Sequence, residues 1–409
     1  MRSVSTVALG VALALGGATV LGAPAQAQKQ PHIVSEFSAQ ERAALLALRT
    51  ALETRNYAAA ATALTAAQSA ARSGNARYLA SALQLRLGIE TGNLGLQSSA
   101  IDAMIASGAV PAAELPQLYR NQAALLQSAG KLDQAEASLS RYVELAPNDA
   151  EAIAALAQIK TGRKKVGEAL PLFGRAIALR RAAGQPVPES WYRRGASLAL
   201  MNQFAPQALP FARDLVVAYP PPVNWRDAVL VYRDAARPDP EAMLDAWRLV
   251  RAAKALAGEC DYLHFAQALI AAGHHSEAKS VLDEGVAARM VNPAEATFKE
   301  LIASSGKAAA AGRAGLAARQ TAAMAAPTGT LAASAGDAFL AAGDYAKAAE
   351  LYRAALAKGS VDPNLVNSRL GIALASAGQR AEAEAAFRAV TGPRAELASL
   401  WLALVAQRA

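Results

Sequence analysis

The feature of this 409-residue sequence that most restricts its folding is a spacing that recurs six times. Ala123 is followed seven positions on by Gly130, five further by Ala135 and then by Leu139, with Pro147 twelve past Ala135. The same offsets relate Ala157 to Lys164, Ala169, Phe173 and Ala176, and Ala266 to Gly273, Ala278 and Leu282. They relate Gly336 to Gly343, Ala348, Tyr352 and Ala355, and Gly371 to Gly378, Ala383 and Phe387. With one inserted residue, Gly195 leads to Asn202, Ala208 and Pro220. Two antiparallel helices of a few turns can cross closely only if each has almost no side chain at the crossing. The pairs Ala123/Ala135, Ala266/Ala278, Gly336/Ala348 and Gly371/Ala383 have that size. The glycine between them supplies the left-handed conformation that ends the first helix. A large ring, Phe173, Tyr352 or Phe387, is expected to fill the space between successive pairs. The proline beyond the second helix cannot continue it.

Composition points the same way. Alanine makes up about a quarter of the chain, far above ordinary usage. It is the best helix former and the smallest side chain that still packs. Aromatic residues are only 5%, and the long β-branched or aromatic runs of a sheet protein are missing.

The pattern resembles the tetratricopeptide repeat family, whose unit of about 34 residues carries this small, Gly, small, large, Pro order. The resemblance is carried by Tyr119, Ala123, Leu126, Gly130, Ala135 and Pro147; by Tyr262, Phe265, Ala266, Leu269, Gly273 and Ala278; and by Gly336, Phe339, Gly343, Asp344, Tyr345, Ala348 and Tyr352. It implies an all-α fold: a right-handed α-solenoid of antiparallel helix pairs, the TPR-like superhelix. HEAT and Sel1-like arrays differ in repeat length, and the seven-then-five spacing favours tetratricopeptide units.

Elsewhere the pattern weakens. Asn56-Tyr57 with Ala60 and Leu64 reads as the turn and second helix of a first unit, and residues 76–108 as a pair around Gly92-Asn93. Residues 222–256 read as a pair split at Arg237-Pro238-Asp239-Pro240, and residues 293–325 are poorly determined. The segment 303–328, rich in Ala, Gly, Ser, Thr and Arg, is either helix with little to bury or a flexible joint, with the joint placed near Ala326–Gly329. Roughly ten pairs are expected. Residues 396–407, with Leu397, Leu400, Trp401 and Leu404, read as a capping helix over the last pair. The expected organisation is a signal peptide at 1–27, a flexible segment at 28–35, an N-terminal and central array at 36–325, and C-terminal pairs with their cap at 326–409.

The first residues are those of an export signal. Met1-Arg2-Ser3 precede an apolar stretch from Val7 to Leu21, and Ala25-Gln26-Ala27 form a small-x-small cleavage site. Cleavage after Ala27 and a periplasmic or secreted product follow as expectations. The apolar stretch is short for a membrane span and is broken by Gly16-Gly17, and no later segment has the roughly 18 apolar residues a span needs, so the cleaved product is not expected to cross a membrane.

The formal net charge is +8 and the sequence pI about 9.6. The basic residues lie in short groups (Arg163-Lys164-Lys165, Arg180-Arg181, Arg193-Arg194) and read as a positively biased solvated surface, not a nucleic-acid stripe.

Catalytic signals are thin. The histidines are His32, His264, His274 and His275, with no i,i+4 partner or carboxylate pair in metal-ligand spacing. Cys260 has no neighbour that would activate it, Gly312-Arg313-Ala314-Gly315 is not a phosphate loop, and no nucleophile or dinucleotide motif stands in usable context. No cofactor, no metal and no enzymatic activity are expected.

A solenoid offers a concave surface instead. In the family the first helix of each unit lines the groove, and by offset that implies Arg120, Gln158, Tyr192, Arg193, Arg226 and Arg233 here. Arginine and tyrosine at such positions suit an acidic or aromatic peptide. A carboxylate clamp of the family's kind is not expected, because Ala124 and Ala154 stand where its asparagines would help. The leading expectation is an exported adaptor that binds a protein or peptide in an envelope assembly. The alternative is an accessory of polysaccharide export that meets an acidic glycan.

Overall fold

The structure is a computed structural model that describes residues 37–407. The expected signal peptide, its cleavage site and His32 lie outside the described residues. All regular structure among the described residues is helical. The chain forms two compact units, divided between Pro147 and Asn148.

The first unit holds α1 (Ala39–Glu53), α2 (Tyr57–Ala70), α3 (Gly74–Glu90), α4 (Leu94–Ala106), α5 (Leu115–Ser128) and α6 (Leu132–Leu145). They form three antiparallel pairs stacked in order. Several of the starts have a local cause. Ser38 and Glu41 form a capping box on α1, and Asn56 and Asn93 accept the Ala59 and Leu96 amides at the starts of α2 and α4. Glu41 does more than cap. Its second oxygen accepts the Arg72 and Ser73 amides at 2.9 and 3.0 Å, so one buried carboxylate ties the entry of α1 to the turn before α3. Leu48, Leu52, Ala60, Ala76 and Leu87 form the core between these helices.

The second unit holds α7 (Ala150–Gly162), α8 (Val166–Ala182), α9 (Glu189–Met201), α10 (Ala205–Ala218), α11 (Pro222–Ala236), α12 (Pro240–Ala252), α13 (Glu259–Ala271) and α14 (His275–Ala287). It continues with α15 (Ala296–Ala314), α16 (Leu316–Ala325), α17 (Thr330–Ala342), α18 (Tyr345–Lys358), α19 (Pro363–Ser376), α20 (Arg380–Arg388) and α21 (Ala395–Gln407). The described chain thus runs as ten successive pairs and a last helix.

The small residues stand where the spacing put them. Ala123, Ala135, Ala157, Ala169, Ala208, Ala266, Ala278, Ala348 and Ala383 are all buried. A Cβ on Gly336 would lie 2.7 Å from the Tyr352 ring, one on Gly371 2.5 Å from Phe387, and one on Gly195 2.5 Å from Phe211. The large ring therefore fills the crossing of its own hairpin, where the expectation placed it between successive pairs. It lies flat in the space that the missing Cβ leaves. Gly343 takes φ +83° at the end of α17, as the pattern requires.

Two pairs break the regularity. α11 packs on α10 rather than closely on α12, and α15 packs on α14 while α16 packs on α17. Both lie where the repeat weakens in the sequence, although α1/α2 and α3/α4, where it weakens too, pack as close pairs. Residues 303–328 are mostly helical, and the expected joint is tied down: the Lys358 ammonium donates to the carbonyls of Ala323, Met324 and Ala326, and the Gly329 amide donates to Gly359 O at 2.8 Å. The division expected at 325/326 therefore falls inside the second unit.

The last helix caps α20, with Phe387 and Trp401 stacked 5.6 Å apart. It also packs against α10 and α12, far back in the chain. Gln407 donates to Val216 O at 2.7 Å, and the short 3-10 turn Gly392–Arg394 brings Arg394 to Asp239 at 3.1 Å. Within this unit the stack from α10 to α21 returns on itself.

Candidate functional site

Of the residues implied for a groove, Arg120 lies in the first unit, and the five in the second do not form one open surface. Arg120 is exposed on α5 in the first unit, its guanidinium 5.8 Å from the centre of the Tyr142 ring. Gln158 is exposed on α7. Tyr192 is buried, 1% exposed, edge-on to Tyr219 at 6.4 Å. It lies one helical turn before Gly195 and so shares the crossing face. That corrects its placement as a groove residue.

The arginines carry internal partners. Arg193 meets Glu189 at 2.9 Å and Asp227 at 3.0 Å, and also donates to Asn224 Oδ1. Arg226 binds the buried Asp261 with two parallel bonds of 2.8 and 2.9 Å. Arg233 pairs with Asp234 at 2.7 Å. The result is a ladder in which α9 grips α11 and α11 grips α13. At Arg193 and Arg226, the forks expected to hold a ligand hold the next repeat.

A deeper charge cluster was not legible in the sequence. Arg248 on α12, 4% exposed, donates to Asp245 at 2.7 Å and grips Glu277 of α14 with three contacts of 2.7 to 3.2 Å. Arg369 of α19 donates to Asp337 of α17 at 2.8 Å, and Asp337 also accepts the Tyr352 hydroxyl at 2.6 Å. Asp245 is central: Arg248 holds one oxygen, while Arg369 Nε and Arg394 Nη1 each stand 3.8 Å from the other. Burial opposes the charge on Arg248, yet Glu277 and Asp245 outweigh it and hold the guanidinium protonated. Burial alone would raise the Glu277 carboxyl, and Arg248 brings it below the usual carboxylate range. His274 beside them is pushed down from its ordinary value, first by burial and then by Arg248.

A cleft of about 860 Å³ opens beside this cluster. Pro240, Glu241 and Leu244 of α12 form one side. Ala268 and Ala271 of α13, with the turn Ala272–His274 and the start of α14, form the next. Ala308, Ala311 and Arg313 of α15 and Leu316 and Arg319 of α16 face them, and Ser334, Asp337, Ala338, Ala341 and Ala342 of α17 with Arg369 close the wall. Eight of the lining residues are alanine, so backbones stand near the opening. Helices α12, α15 and α16 belong to the two splayed pairs, so the cleft lies where the repeat breaks. Its size is that of ordinary ligand sites, roughly 300–1,000 Å³.

Among the described residues, no three His, Cys, Asp or Glu side chains are grouped to hold a metal ion, and no helix is long and apolar enough to cross a membrane. His264 is exposed on α13, His274 and His275 stand at the start of α14, and Cys260 is a free exposed thiol.

The geometry defines a helix-hairpin repeat protein with tetratricopeptide-like units. No family model matches the chain, and no curated protein does. Among solved structures, a tetratricopeptide repeat protein from Parabacteroides merdae is similar over 73% of this chain and 99% of its own, at 14% identity and a TM-score of 0.30. PilW, a type IV pilus biogenesis factor, is similar over 54% of this chain and 98% of its own, at 14% identity and 0.27. Pseudomonas aeruginosa pilF is similar over 65% and 97%, at 14% identity and 0.25. Identity and score are too low to carry an activity or a partner across.

Proposed function

We propose that this chain is an exported scaffold that binds a protein or peptide partner in an envelope assembly. The observation that carries the reading is how the hairpins use their residues. The hairpins α9/α10, α17/α18 and α19/α20 each bury their small crossing residues and their own ring internally, so the outward helix faces and the cleft remain for partners. Export is supported by the charged start, apolar stretch and small-x-small site of residues 1–27.

Two measurements test it. Cell fractionation followed by N-terminal sequencing is expected to recover a chain beginning at Gln28 outside the cytoplasm. Photo-crosslinking from Ser334 in intact cells, read by mass spectrometry, is expected to give discrete protein adducts. A cytoplasmic chain that keeps Met1 would overturn the exported role. Recovery of acidic glycan without protein adducts would overturn the adaptor role in favour of a polysaccharide-export accessory.

A further inference from the structure

We infer that the cleft of the second unit binds an acidic peptide segment, held through its carboxylates by Arg313 and Arg319. The inference rests on the scaffold reading and gives that partner its chemistry. Arg313 and Arg319 line the cleft, are exposed, and have no carboxylate partner among the described residues. That sets them apart from Arg193, Arg226, Arg248 and Arg251, each of which has an internal acid. In a chain that pairs so many of its arginines, two unpaired ones at one opening are the groups left for an outside anion.

Arg369, which also lines the cleft, is already held by Asp337 at 2.8 Å, and it stands 3.7 Å from Glu241, the other acid of the lining, so both acids have an internal cation. Two further features favour a carboxylate there. Helix α14 starts in the cleft at His275 and Ser276 with no side-chain cap. Its open first-turn amides add donors and the positive end of the helix dipole. Ser276 and Ser334 offer hydroxyls on opposing walls.

The same lining favours a peptide over a sugar acid. No Trp, Tyr or Phe lines the cleft, so a pyranose ring finds no stacking platform. The alanine walls of α13, α15 and α17 let an extended backbone approach closely, and the volume accepts a short segment of chain. Guanidinium forks match carboxylates in two parallel bonds.

The test uses the full chain and fluorescein-labelled hexaglutamate, with hexaglutamine, oligogalacturonate and inorganic phosphate as competitors, read by fluorescence anisotropy. Hexaglutamate is expected to bind, to weaken with added salt, and to resist displacement by the three competitors. The double variant Arg313→Gln/Arg319→Gln is expected to lose roughly tenfold or more in affinity with its thermal midpoint unchanged. Arg233→Gln, an exposed arginine outside the cleft, is expected to bind as the unaltered chain does. Equal affinity in the double variant, no binding of hexaglutamate, or displacement by oligogalacturonate or phosphate at equal concentration would each overturn the assignment. The crosslinking experiment is independent: protein adducts with no loss in the double variant leave the scaffold standing and remove only this site.

Discussion

Arg394 reaches Asp239 across 155 positions of sequence, its Nη2 3.2 Å from one carboxylate oxygen and 3.1 Å from the other. Asp239 also caps α12 by accepting the Ala242 amide. One side chain therefore starts a helix in the middle of the chain and receives the turn before its last helix. Arg394 Nη1 stands near Asp245 in the same place. This meeting joins the packing of α21 on α10 and α12 in closing the stack on itself.

Arg394→Ala is expected to destabilise the protein by about 1–3 kcal/mol. It strips a buried cation from Asp245, while the exposure of Asp239 reduces the effect. Thermal unfolding checks the size. Hydrogen exchange checks the place: α21 amides should lose protection while α1 to α6 keep theirs. Uniform loss across both units would mean that Arg394 does not act as the closing contact.

Ala348→Leu is expected to cost on the order of 1–3 kcal/mol by overfilling the α17/α18 crossing. Ala348 is fully buried, and the Tyr352 ring already occupies the room beside Gly336. Denaturant unfolding measures it, and an unchanged midpoint would show that the crossing has slack.

The turns offer an opposed pair. Gly343 takes φ +83° and Lys164, at the equivalent offset after Ala157, takes φ +61°. A side chain in that region costs roughly 1–2 kcal/mol per residue. Gly343→Ala should destabilise by about 1 kcal/mol, whereas Lys164→Gly should stabilise by a few tenths to ~1 kcal/mol once the freer unfolded chain is counted. The same sign for both in thermal melts would refute the shared turn geometry.

Glu41 gives a pH dependence with a definite sign. The Ser73 amide, with the Ser38 and Arg72 amides, brings its carboxyl down from 4.5 to about 2. A carboxyl depressed by folding stabilises the folded state above its unfolded value, and that stability is lost as pH falls. Stability of the first unit should therefore decline between about pH 4.5 and pH 2. Glu41→Gln should flatten that slope while weakening the tie to the turn before α3. An unaltered slope would assign the acid sensitivity to other carboxylates.

The hairpins were legible because their causes are local. Ala266 and Ala278 stand on helices that must cross after a short turn, and Gly273 between them takes φ +77° because only a left-handed residue ends the first helix there. Even Tyr192 was misplaced by family offset rather than by physics, since its position one turn before Gly195 already put it on the packed face. The ring's place was misjudged for a different reason. Gly336 and Tyr352 are both plain in the sequence, but spacing does not say whether a ring turns into its own crossing or toward the next pair.

By itself, then, the sequence determined the helices, their turns and the pairing of the regular hairpins, since each depends on residues within one repeat of each other. Only the tertiary structure decided that α21 would return to α10 and α12, that Asp245 would stand among three arginines, and that Arg193 and Arg226 would face acids rather than a ligand. Those contacts join residues that are often far apart in the chain, and charge carries no periodicity that marks its partner in advance. The cleft lies between the two kinds of knowledge. Its place coincides with a fading of the repeat at 222–256 and 293–325, but its walls exist only because α11 packs on α10, α15 on α14 and α16 on α17 instead of each closing on the other helix of its pair.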